Sequence, residues 1–197
     1  MLKIVTAPNA VLSQKTKRIN KFDKAVLKLI EGMKKALLSA RDPVGVGLAA
    51  PQVGKSLRIF IIKQNHKSPI LTFINPVIEE FFSAPSEKSQ KAKQSEKVSK
   101  AKEKAGIDKK VQLEGCLSLK DIWGEVKRNP SITISYQDEK GKVHSQKFSG
   151  FISTIIQHEN DHLNGILFPK RVLEQKGQLY KSRKDEKGED VFEEIDL

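Results

Sequence analysis

The chain has 197 residues, 38% of them hydrophobic and 30% charged, and that length suits a single domain with one core. No apolar run approaches the ~18 residues needed to cross a bilayer, which argues against a membrane-spanning helix. The net charge of +12 would suit a polyanionic partner, and the lone cysteine, Cys116, excludes an internal disulfide.

Residues 1–20 read as extended and irregular, with turn formers at Pro8 and Asn9, and Met-Leu-Lys-Ile-Val-Thr-Ala-Pro does not read as a signal peptide. Asp23 can cap a helix, and Phe22 and Leu27 are spaced for a hydrophobic staple. Val26, Ile30, Met33 and Leu37 keep the helical period, so an amphipathic helix is expected over 24–40, stopped by Arg41-Asp42-Pro43. Gly45–Gly54 reads as a glycine-rich loop where a ligand's main chain can lie against the protein's own. It lacks the Gly-Lys-Ser/Thr of a phosphate loop. Arg58–Lys63 reads as a buried strand, and Leu71–Asn75 and Val77–Phe82 as two more, separated by a bend at Pro76.

From Ser83 to Lys110 the apolar pattern dissolves. Within 86–110 stand nine lysines and four acids, a net +5. Such a composition cannot pack a face, so a basic low-complexity insert is expected here, either a solvated loop or a tether to RNA through phosphate contacts. Ser131–Asp138 alternates Ile132, Ile134 and Tyr136 on one face of a strand. Asp138–Gly141 is a turn, and Lys142–Ser149 returns as the hairpin partner. Gly150 opens a helix over 151–163 that Asn164-Gly165 closes. The tail, 174–197, reads as a short hairpin around Asp185–Gly188. The expected class is α+β: small mixed or antiparallel sheets around a central buried helix.

That helix carries Gln157-His158-Glu159-Asn160-Asp161-His162. His158 and His162 are one turn apart on one face and can grip one metal ion, with Glu159 beside them as a base. Phe151, Ile152, Ile155, Ile156 and Leu163 are apolar on nearly every side, so the helix should be buried and its imidazoles with it. Buried imidazoles need partners, and a metal satisfies both. Cys116, in Glu114-Gly115-Cys116-Leu117-Ser118, is a candidate third ligand. One thiolate and two imidazoles leave a fourth metal position open for water.

Three stretches together resemble the signature motifs of the peptide deformylases, in the same order: Gly45–Gln52, Glu114–Ser118 and Gln157–His162. The resemblance runs from residue 1 to about 170 and implies one catalytic domain over 1–173, interrupted at 86–110. It implies removal of the formyl group from the N-terminal formyl-methionine of new polypeptides, with release of formate. Cys116, His158 and His162 would hold one divalent metal, typically Fe(II), with Zn, Ni or Co able to occupy the site. Glu159 would be the general acid and base. The Gln52 side chain and the Leu117 N–H would hold the developing oxyanion. Gly47 would pair with the substrate main chain, and Val46, Phe151, Thr154 and Ile155 would take the methionine side chain. Arg128 is expected to pair with Glu114 or Asp161 beside the metal. The expected partners are N-formylmethionyl nascent peptides and, through the basic surface, a transient ribosome contact. Neither a membrane nor sequence-specific nucleic acid is expected, and the expected location is a bacterial-type cytoplasm or an organelle. Three features depart from the family's pattern: the basic insert, Lys120 where a proline often stands, and a Gly-broken, strand-like 174–197 in place of the C-terminal helix by which some members dock on the ribosome. Two rivals are a zinc endopeptidase, disfavoured because only acidic residues after His162 could supply a third ligand, and a non-enzymatic RNA-binding protein.

Overall fold

A computed structural model describes residues 2–41, 43–65, 67–83 and 113–196. The basic insert at 86–110, and every expectation attached to it, lies outside them. Helix α1 spans Lys24–Ser39, and the Asp23 carboxylate accepts from the N–H groups of Ala25 and Val26, as a capping aspartate should. Phe22 packs on the core, but Leu27, its expected staple partner, is 41% exposed.

The glycine-rich stretch is not a plain loop. It is a short strand β1, Gly47–Ala49, running into a 3-10 turn over Ala50–Val53. Strand β2 covers Ile59–Ile62. The two strands expected around Pro76 are one strand, β3, Leu71–Phe82. It bends rather than breaks. Asn75 takes φ 52°, its register slips between Ile74 and Val77, and its side chain bonds both the N–H and the C=O of Ile19 at 2.8 and 2.7 Å. A proline in a strand needs such a bulge, because it cannot donate to the ladder.

Two strands that periodicity did not reveal follow: β4, Leu113–Cys116, and β5, Leu119–Glu125. The expected hairpin is β6, Ser131–Gln137, with β7, Val143–Ser149. The histidine helix is α2, Phe151–Leu163, opened by Gly150 at φ 67° and closed before Gly165 at φ 71°. A short helix α3, Phe168–Glu174, was not anticipated. The tail hairpin is β8, Leu179–Lys184, with β9, Asp190–Ile195.

Among the described residues all the strand pairs are antiparallel and form two sheets, β1-β2-β3-β6-β7 and β4-β5-β8-β9. The larger sheet lies between two helices. Ile59 and Ile61 of β2 face α1 with Ile30, Met33 and Leu37. Phe60 and Ile62 face α2 with Ile155, Ile156 and Leu163. Burial on both faces explains why β2 is an unbroken apolar run instead of an alternating one. The smaller sheet closes over α3 through Phe168, Val172 and Leu179, in the cluster that also holds Cys116. The 174–197 stretch thus supplies half the strands of the sheet whose first strand bears the cysteine. Among the described residues no helix is long and apolar enough to cross a membrane.

Candidate metal centre and cleft

Helix α2 is fixed at both ends before any ligand is considered. At its start the Gly150 N–H donates to Pro130 C=O, and Ser153 Oγ and Gln157 Nε2 both donate to Asn129 C=O. At its end the Thr16 N–H and hydroxyl both donate to Leu163 C=O, closing an otherwise orphaned carbonyl. Also at this end, Arg58, just before β2, donates to Asn160 in the last turn and to Asn164 at the C-cap. The helix is less uniformly buried than its composition suggests, for Phe151 is 42% exposed.

On this frame Cys116, His158 and His162 come together, with one candidate donor atom from each lying within 4.8 Å of the others. Cys116 Sγ stands 3.2 Å from His162 Nε2. A tetrahedral centre with metal–sulfur near 2.3 Å and metal–nitrogen near 2.0–2.1 Å separates its donors by about 3.3–3.7 Å. The Cys116–His162 separation falls just under that range and the trio's donor atoms all lie within 4.8 Å of one another, so the three are close enough to converge on one ion. His158 Nδ1 donates to Glu114 Oε2 at 3.1 Å, which leaves Nε2 as the nitrogen that could meet an ion. Burial alone would raise the Cys116 thiol. His162 and His158 beside it outweigh that and hold it well below its ordinary range, in the thiolate form a metal takes.

A charge network stands behind the trio. Arg128 grips both oxygens of Glu114, at 2.7 and 3.0 Å, and Asp161 Oδ2 at 2.7 Å. The arginine thus meets both expected acids at once. Asp161 is also held by Arg171 of α3, at 2.6 and 3.0 Å. Burial would raise the Glu114 carboxyl, but the hydrogen bonds from His158 and Arg128 and the guanidinium charge hold it down at about 2. Sequence reasoning missed Arg171, because the helix carrying it was not read.

Glu159 is 3% exposed, and its Oε2 has no hydrogen-bond partner among the described residues. Burial pushes its carboxyl up to about 7, against the nearby histidines. Its other face lies on Gly47, where an added Cβ would stand 2.7 Å from Glu159 Cδ. Gln52 is also buried. Its Oε1 accepts from the Ala49 N–H at 2.8 Å, which turns Nε2 toward Cys116 Sγ at 3.5 Å and Ser118 Oγ at 3.3 Å. The N-terminal segment ties these two motifs together, through Val5 N–H to Gln52 C=O and Ala7 N–H to Ser118 C=O. Ser118 is fully buried, and its motif alone does not announce this contact with Gln52. Leu117 packs its side chain on the core cluster around α1.

Beside the trio lies a cavity of about 210 Å³. Val46, Phe151, Thr154 and Ile155 line it together with His158 and Glu159 on one side and Leu113, Gly115 and Trp123 on the other. Gly47 of β1 and Gly115 of β4 both border it, and each of these strands is the outermost of its sheet.

A family model for polypeptide deformylase matches residues 1–178. A peptide deformylase of Desulfotalea psychrophila is 34% identical over 187 residues, 93% of this chain and 94% of that protein. Peptide deformylase 1 of Bacillus cereus is 36% identical over 172 residues, 87% of this chain and 92% of its own. The crystal structure of the Thermotoga maritima peptide deformylase is similar with a TM-score of 0.68 at 32% identity, covering 87% of this chain and 97% of that one. That of a Synechococcus elongatus peptide deformylase in complex with actinonin gives 0.69 at 31%, covering 86% and 79%. The chain belongs to the polypeptide deformylase family, hydrolases that remove the N-terminal formyl group from newly made polypeptides.

Proposed function

We propose that Cys116, His158 and His162 hold a single divalent ion, Fe(II) in the native enzyme, with Zn, Ni or Co able to replace it. The observation that carries this is the convergence of a thiolate and two imidazoles, their donor atoms within 4.8 Å of one another. Bound there, the ion would lower the pKa of a water and polarise the formyl carbonyl.

The chain's own residues do the rest. Glu159 is within the same buried pocket and accepts the proton of the attacking water, then delivers it to the leaving amine. Its unpaired Oε2 and raised pKa suit a group that must both take and give a proton near neutrality. Gln52 Nε2 and the Leu117 N–H donate to the oxygen that becomes negative in the tetrahedral intermediate. The bond from Ala49 fixes the amide in advance, so no reorganisation is needed. The two outermost strands, β1 and β4, flank the cleft, so a substrate in extended form can add its main chain to either edge. The methionine side chain then enters among Val46, Phe151, Thr154 and Ile155. Glu114, Arg128 and Asp161 hold His158 and the helix in place. The substrates are N-formylmethionyl nascent peptides, met in the cytoplasm. The excess of positive charge supports a transient, salt-sensitive contact with ribosomal RNA.

Metal analysis of anaerobically purified protein, combined with formate release from formyl-Met-Ala-Ser, tests the reading. Fe(II) binds N/O/S sites more weakly than Co, Ni or Zn, so trace metals must be kept out of the buffers, and air, which oxidises Fe(II), out of the purification. Cys116→Ala is expected to lose the metal and the activity together. A full equivalent of metal in that variant overturns the ligand assignment. Glu159→Gln is expected to keep the metal and lose ~10²–10⁴-fold in kcat/KM; activity within about tenfold of wild type removes Glu159 from the chemistry.

A further inference from the structure

Trp123 is the chain's only tryptophan, and none of the roles assigned above uses it. It pairs with Gly115 across the β4–β5 ladder, and its six-membered ring lies flat on that glycine. A Cβ at Gly115 would stand 2.8 Å from Cζ3 and 2.9 Å from Cε3. The ring is held there by the tail hairpin. Its Nε1–H donates to Ser182 Oγ of β8 at 3.1 Å, and its edge meets the Phe192 ring of β9 at a centroid distance of 5.8 Å and 88°. With the N–H engaged, the half-buried ring offers the cleft only carbon and a π face. It stands as a partition, lining the methionine cavity on one side and a polar cavity of about 350 Å³ on the other.

The alternation of side chains along an extended substrate decides which of its residues would meet it. Glu114 faces α2, since its carboxylate bonds His158, and Cys116 faces α2, since its sulfur meets His162. Gly115 between them, where the ladder shifts register, presents the Trp123 ring in place of a side chain, and that ring lines the cavity opposite Phe151, Thr154 and Ile155. The methionine side chain, entering among Phe151, Thr154 and Ile155, points toward α2. In an extended substrate the next side chain points the opposite way, to the side where Trp123 lies.

We propose that Trp123, clamped by the C-terminal hairpin, selects the residue that follows formyl-methionine and favours a large apolar or aromatic side chain there. Ser182 and Phe192 are positioning residues that act through it. The proposal rests on the deformylase reading for the placement of the methionine, so its test separates the two.

Formate release from formyl-Met-Ala-Ser by the metal-loaded enzyme tests the deformylase reading alone. The side-chain preference is read independently of turnover, by titrating the reaction product as Met-Phe-Ser or Met-Ala-Ser while following the emission of the sole tryptophan. Met-Phe-Ser is expected to shift that emission and to bind about three- to tenfold more tightly than Met-Ala-Ser, the range a ring-on-ring contact supplies. In kinetics the same ratio should appear in KM for formyl-Met-Phe-Ser against formyl-Met-Ala-Ser. Trp123→Ala should bring it to about one, and Trp123→Phe should keep most of it. Phe192→Ala should lower the preference by raising KM for the Phe peptide alone, with kcat and the Ala peptide unmoved. Unchanged emission, equal affinities, or a preference that survives Trp123→Ala overturns the proposal.

Discussion

Gly47 carries more of the chemistry than its size suggests. The glycine-rich pattern around it marks a close backbone approach, and the sequence reading assigned that approach to the substrate. The structure adds a second neighbour, the Glu159 side chain, packed where a Cβ would stand. Such a contact joins residues far apart in the chain, and nothing local in either motif announces it. Both groups sit on rigid supports, a buried strand and a buried helix, so neither can yield cheaply. Gly47→Ala is therefore expected to displace the carboxylate and cost roughly 10²-fold or more in kcat/KM, comparable to losing a general base. Metal content should stay at the wild-type level, because the substitution touches none of the three ligands. Metal analysis and formate release on the same preparation check both halves, and near-normal activity would show that the carboxylate is free to move.

Elements were legible in proportion to how much of their stability is local. Helix α2 declared itself through its apolar residues and the glycines at both ends, and β6–β7 through strict alternation around a turn. Strand β4 has four residues, two of them Glu and Gly, and β5 is interrupted by Lys120-Asp121 and Gly124. Their mutual pairing is local, but neither strand's sequence alternates, and the other neighbour of β5, β8, lies far along the chain, so no period marks them. Helix α3 has seven residues and buries only Phe168 and Val172, one turn apart, too short a run for a period to show. Arg128, just after β5, is the bolt between these elements, tying β4 through Glu114 to α2 through Asp161. All three side chains are 8% exposed or less. Arg128→Ala would leave two carboxylates buried, Glu114 without its guanidinium and Asp161 with only Arg171. Removing one partner of a buried pair costs about 3–5 kcal/mol. Urea denaturation of the metal-loaded variant should show a loss of that size. Arg128→Lys should recover only part of it, because an ammonium cannot grip both oxygens of Glu114 in a fork. A loss below about 1 kcal/mol would mean that the network relaxes around the gap.

At the scale of the whole molecule, the chain passes from one sheet to the other between Phe82, the end of β3, and Leu113, the start of β4. The basic insert falls in this crossing. Both strands it joins are fixed by other means. β3 is paired on both sides, by β2 and β6, while β4 is held by β5 and by the Arg128 bonds to Glu114. The metal trio, the oxyanion donors and the lining of the methionine cavity are all drawn from the described residues, outside 86–110. The entropy of closing a loop grows only with the logarithm of its length, so shortening this one should change stability by well under ~1 kcal/mol. Replacing 86–110 with a short Gly-Ser loop is accordingly expected to leave kcat/KM on a formyl-tripeptide within about threefold. Its nine lysines against four acids should matter elsewhere. Contacts to phosphate release counterions, so any co-sedimentation with ribosomes should fall on removal of the insert, and the difference should vanish as salt is raised. If tripeptide hydrolysis collapses instead, the insert packs on the cleft, and the view of it as a catalytically silent tether between two self-sufficient sheets has to be abandoned.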